Sequence, residues 1–83
     1  MTRDHIFRAI RAERKRQRAQ WNKTHRFGFG DCSSLRVSNA TKSAVLAEES
    51  GEVCRAVLEG DTTQLQKELV QVAAVAVAWL EAL

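Results

Sequence analysis

Glu48, Glu49 and Glu52 fall in the run EESGE, within a stretch of strong helix formers. At about 100° per residue the three carboxylates share one helical face, within roughly 100° of one another. Val45 and Ala56 lie on that face too, and it adjoins the stripe Leu46, Val53 and Val57, so the acids border the core. Like charges at these spacings repel by roughly 0.2–0.5 kcal/mol per exposed pair, and by more as they lose water. Further along, Glu68 falls inside the apolar arc of Leu65, Val72, Val75 and Trp79. A lone carboxylate there is costly to bury unless it is paired or coordinated. Two outcomes are open: a salt bridge to one of the many arginines, or a cation shared with Glu49 and Glu52. Mg²⁺ and Mn²⁺ take such all-oxygen donor sets.

Three helices must position these groups. The first is expected from about Arg3 to Trp21, with Ile6, Phe7, Ile10, Ala12 and Trp21 as a thin apolar stripe among arginines. Residues 22–39, NKTHRFGFGDCSSLRVSN, read as a loop, with Phe27-Gly28-Phe29-Gly30 as a flexible hinge. The second helix spans about Ala40 to Glu59, capped by Ser38 or Asn39 and closed by Gly60. The third starts at Thr62 behind Asp61, with Asp61-x-x-Gln64 as a capping box, and runs to the end. Its stripe is Leu65, Leu69, Val72, Ala76 and Leu80. The short Gly60-Asp61 turn folds the last two helices into an antiparallel hairpin, which brings Glu68 toward Glu49 and Glu52.

The segments AVLAEESGEVCRAVLEGD and LQKELVQVAAVAVAWLEAL, residues 44–61 and 65–83, resemble the MazG-like all-α nucleotide pyrophosphohydrolases. Glu49-x-x-Glu52, then Glu68-x-x-Gln71, is similar to that family's ExxE…ExxD signature. The resemblance implies Mg²⁺-dependent cleavage of a nucleoside triphosphate to the monophosphate and pyrophosphate. It makes Glu49, Glu52, Glu68 and Gln71 the metal ligands, with Gln71 standing where the pattern has Asp and offering a carbonyl oxygen without charge. Glu49 or Glu48 would accept a proton from the attacking water. Arg14, Arg16, Arg18, Lys23, Arg26 and Lys42 are cations for the triphosphate. Trp21 and His25 are candidates for the base pocket, one ring to stack and one to bond a base edge.

Composition sets the class. The chain has 83 residues, 45% hydrophobic and 28% charged, with no proline and four glycines. That fits one all-α domain over residues 1–83, too short to bury more than roughly 60–65% of its unfolded surface. Cys32 and Cys54 have no CxxC spacing and permit at most one bridge, so a zinc site or disulfide framework is not expected. No apolar run approaches a membrane span, and a cytoplasmic setting is expected. Residues 1–42 hold eleven Lys or Arg against three Asp or Glu, net +8, and residues 43–83 hold two against seven, net −5. The third helix is apolar nearly all round, with Val70, Ala73, Ala74 and Val77 opposite its main stripe. A homodimer or tetramer is therefore expected, forming a helical bundle. Two other classes stay open: a non-catalytic nucleotide- or metal-binding helical oligomer, and a basic nucleic-acid-binding helical protein.

Overall fold

A computed structural model describes residues 1–83. The chain is mostly helical: α1 (Arg3–Trp21), a two-stranded ribbon of β1 (Thr24–His25) and β2 (Gly28–Phe29), α2 (Asn39–Glu59) and α3 (Thr62–Glu81). Each helix start has a side-chain oxygen on an orphan N–H. Thr2 Oγ1 accepts from His5 N, Ser38 Oγ from Thr41 N and Asp61 Oδ1 from Gln64 N. Ser38, not Asn39, is thus the cap of α2. The Asp61 capping box is only half made, because the Gln64 side chain turns to Glu68 instead of returning to its cap. Gly60 ends α2 at φ +67°, a left-handed conformation that favours glycine. Its N–H donates to Val57 O, and Asp61 N donates to Ala56 O, the paired bonds of a Schellman stop.

α2 and α3 form an antiparallel hairpin. Trp79 Nε1, near the end of α3, donates to Asn39 Oδ1 at the start of α2 (2.9 Å), while Glu49 and Gln71 meet midway. α3 packs against both α1 and α2 and is the central helix.

The buried face of α3 is not the expected stripe. Glu68, Ala74, Val75 and Ala78 are buried, whereas Leu69 is 50% and Leu80 68% exposed. Ala74, placed on the outer face by the sequence pattern, is fully buried. The physical reason is that α3 is apolar nearly all round, so hydrophobicity alone does not choose its inner face. Close packing does: the alanines let both neighbouring helices approach. On α2 the same holds, with Ala56 buried and Val57 exposed.

The 22–39 segment is also more ordered than a flexible hinge. β1 and β2 pair antiparallel, Thr24 with Phe29 and His25 with Gly28. Gly28 has φ +135°, and a Cβ there would lie 1.9 Å from Arg36 O, so only glycine allows this crossing. Asp31 Oδ1 accepts from the N–H and hydroxyl of Ser33, and Ser34 Oγ from Arg36 N. Two buried cations fasten the segment to the helices. Lys42, 2% exposed, donates to Ser34 O at 2.8 Å. Arg14, 8% exposed, donates to Asp31 Oδ2 at 2.8 Å, and also reaches Gln17 and Glu81. Burial pushes the Asp31 carboxyl up, but the hydrogen bonds from Ser33 and Arg14 outweigh it and hold it below the ordinary value.

Removing one partner of a buried ion pair strands the other charge, at about 3 kcal/mol. Asp31→Ala is therefore expected to lower the unfolding free energy by about that amount in urea titrations, while Arg36→Gln changes it by less than about 0.5 kcal/mol. Because the folded Asp31 titrates low, its contribution is present above about pH 4 and fades as pH falls through the depressed value. The two proteins should converge in stability on acidification.

Candidate active site

The hairpin places Glu49 of α2 and Glu68 of α3 on either side of Gln71. One terminal atom of the Gln71 amide lies 2.9 Å from Glu49 Oε2 and 3.1 Å from Glu68 Oε2. In the free protein that atom is the NH₂, donating to both carboxylates, since a carbonyl oxygen would face only acceptors. Glu68 is 7% exposed and its other oxygen accepts from Gln64 Nε2 at 2.6 Å. No arginine pairs with it: the ion pairs of the molecule are Arg14–Asp31, Arg14–Glu81, Arg16–Glu13, Arg18–Glu81 and Arg55–Glu59. The salt-bridge alternative for Glu68 is therefore not formed. Glu68 is carried instead by two glutamine amides, which leaves its charge uncompensated.

Glu49 feels that charge. Partial burial pushes its carboxyl above the ordinary value, and repulsion from Glu68, Glu48, Glu52 and Glu13 pushes it further. Glu13 comes from α1 and was not among the residues singled out by motif. Its carboxylate is largely covered and accepts from Arg16 Nε and Nη2. The only sequence signal for it is the Glu13-x-x-Arg16 spacing of an i,i+3 pair, which is common on helices.

Glu52 does not join the group around Gln71. It is exposed and, with Glu68, lines a separate shallow cavity of about 190 Å³. No group of three or more His, Cys, Asp and Glu side chains is arranged to hold a metal ion. The donors that do meet are two carboxylates and an amide. Mg²⁺ binds oxygens at about 2.0–2.1 Å in octahedral geometry, which sets adjacent ligand oxygens about 3 Å apart. The separations at Gln71 have that spacing. A half-turn of the amide would put its carbonyl oxygen at the same point and give three hard donors. Mg²⁺ commonly takes one or two carboxylates and keeps waters or substrate phosphates in its other positions. The donor types, two carboxylates and an amide, are ones that Mg²⁺ accepts.

The remaining sequence candidates lie elsewhere or are already occupied. Trp21, 40% exposed, stands edge-to-face with His25 at 5.5 Å, and Lys23 Nζ lies 5.6 Å from its ring centre. His25 Nε2 donates to Gly30 O at 2.7 Å, and His25 Nδ1 accepts from Phe27 N. Both ring nitrogens are used inside the hairpin, which leaves none for a base edge. Lys42 and Arg14 are buried anchors of the 22–39 segment and not surface cations. Arg18 is held by Glu81, and the rise from Gln71 to Glu81 along α3 is about 15 Å. Burial and the adjacent Asp31 push the half-buried Cys32 thiol up.

No family model, curated protein or solved structure matches the chain.

The pH behaviour of Glu49 tests this local field. Its folded carboxyl titrates higher than the unfolded one, so stability is lost as pH rises through that window. Glu49→Gln should raise Tm at pH 7 in calorimetry, with the gain vanishing below about pH 4, where the unfolded glutamate is protonated too. An equal gain at both pH values would assign the effect to packing.

Proposed function

We propose that the chain is a Mg²⁺-dependent nucleoside triphosphate pyrophosphohydrolase. The observation that carries this reading is the meeting of Glu49 and Glu68 at Gln71, across two helices. The similarity of Glu49-x-x-Glu52…Glu68-x-x-Gln71 to the MazG-like signature supplies the substrate class. Glu49, Glu68 and Gln71 would hold the ion, with Glu52 one turn further along α2. A bound Mg²⁺ would neutralise phosphate charge and increase the acidity of an attacking water.

The protein's own part is proton transfer and alignment. Glu49, or Glu48 beside it, would accept the proton of the attacking water. Water adds to the α-phosphorus as Glu49 takes its proton, the bond to the α–β bridging oxygen breaks, and pyrophosphate leaves. Gln64, bonded to the far oxygen of Glu68, holds that carboxylate in place.

A second copy belongs to the same reading. Leu69, Val77 and Leu80 of α3 are exposed, as are Leu83 beyond its end and Leu58 of α2. Exposed leucines of this number in so small a domain suit cover by a second copy. A homodimer mass in light scattering is expected, and a 9.3 kDa monomer at high micromolar concentration would oppose it.

The test of function is pyrophosphate release from a panel of nucleoside triphosphates with and without Mg²⁺. Metal-dependent release that drops at least about 100-fold in Glu68→Gln, with the helical spectrum unchanged, is the expected result. Nucleotide binding without turnover would leave a binding protein.

A further inference from the structure

A groove of about 470 Å³ runs between α1 and the first half of α3. Its walls include Ala12, Glu13 and Arg16 on one side and Lys67, Val70 and Gln71 on the other. Gln71 is thus shared: it lines the groove and bridges Glu49 and Glu68. The groove opens directly beside the carboxylate pair, and its volume is that of a small-ligand site.

We infer that this groove binds the polyphosphate of the substrate, with Arg16 and Lys67 as the cations that hold it. Of the chain's thirteen Lys and Arg, these two are the ones that line the groove. Arg14 and Lys42 are buried in the anchoring of the 22–39 segment. Arg18 and Arg55 are paired with Glu81 and Glu59. Lys23, Arg26 and Arg36 lie over the rings of Trp21, Phe27 and Phe29, in and around the β ribbon. Arg16, although paired with Glu13, and Lys67 line the groove from α1 and α3.

Arg16 is prepared for an anion. Its Nε and Nη2 donate to Glu13 and its Nη1 to Gln20 Oε1, which fixes the guanidinium plane. Two of its five N–H groups remain for a ligand. Its side chain is 55% exposed, so those donors are accessible. Arg16 is also close enough to Glu49 for that charge to favour its cationic form. Lys67 is exposed and pairs with no carboxylate. An anion spanning the two cations would lie with one end toward Gln71, where cation-binding oxygens meet. Triphosphate with its counter-ion has that distribution of charge.

The inference takes the identity of the anion from the hydrolase reading, and the test separates the two. Inorganic tripolyphosphate is titrated into the full chain in EDTA, followed by amide chemical shifts and calorimetry. Saturable shifts around residues 12–16 and 67–71 are expected. Arg16→Gln and Lys67→Gln should each weaken binding about tenfold, as the loss of one charge-assisted contact implies. Lys23→Gln should bind as the parent does. Circular dichroism of each variant checks that the helices are intact. Unchanged affinity in both groove variants, or shifts centred on the β ribbon, overturns the inference even if pyrophosphate is released from nucleotides. Groove binding without any pyrophosphate release retains the inference and removes the hydrolase reading. Tighter binding of an oligothymidylate than of tripolyphosphate, with the same dependence on Arg16 and Lys67, overturns it in favour of a nucleic-acid backbone.

Discussion

The buried guanidinium of Arg14 is the point where three parts of the chain meet. It joins α1 to Asp31 of the 22–39 segment and to Glu81 at the end of α3. Few apolar residues are buried, namely Val37, Ala56, Ala74, Val75 and Ala78, and four of these five are small or sit on the α2–α3 contact. A core of that size cannot order a polar segment of this length by hydrophobic burial alone. Charge and hydrogen bonding do it instead, through Arg14 on Asp31 and Lys42 on Ser34 O. Such pairs are unforgiving of one-sided change, because either partner alone is left desolvated.

This arrangement divides the molecule along α3. At one end the cations are occupied, Arg14 and Arg18 with Glu81 and Lys42 with the segment backbone, and Trp79 donates to Asn39 as the latch of the hairpin. At the other, Glu49 and Glu68 stand near each other with only amides between, while Arg16 and Lys67 border an open groove. The first end is satisfied internally except at Arg14 Nη2, which is buried without a partner. The second keeps the Glu49–Glu68 pair without a cation, and Lys67 without a carboxylate, beside the open groove. The antiparallel register fixed by the Gly60 stop and the Trp79–Asn39 bond sets Glu49 opposite Gln71.

What the sequence reveals follows from which forces are local. The helix limits were legible because caps and stops are written within a few residues: Ser38, Gly60 and Asp61 act through their nearest neighbours. The approach of Glu68 to Glu49 was legible because a short turn leaves the hairpin little choice of register. The inner face of α3 was not, since a helix apolar on most sides carries no periodic signal, and alanine packing decided it. The β ribbon was hidden because its strands are two residues each and its order comes from distant contacts, Arg14 on Asp31 and Lys42 on Ser34. The bond to Ser34 O withdrew Lys42, and the bonds to Gly30 O and Phe27 N withdrew His25, from the roles their residue types implied. Glu13 and Lys67 were missed for the converse reason: nothing local marks them, and only the packing of α1 on α3 brings them to the groove.

The central claim is that Glu49, Glu68 and Gln71 form one cation site. Paramagnetic broadening of backbone amide signals by substoichiometric Mn²⁺ tests it most directly, without reference to any substrate. The account predicts broadening strongest around residues 49, 68 and 71, reversed by excess Mg²⁺ and absent in Glu68→Gln. Broadening centred on Glu59 and Asp61, or spread evenly over the acidic residues and unchanged in Glu68→Gln, would contradict it.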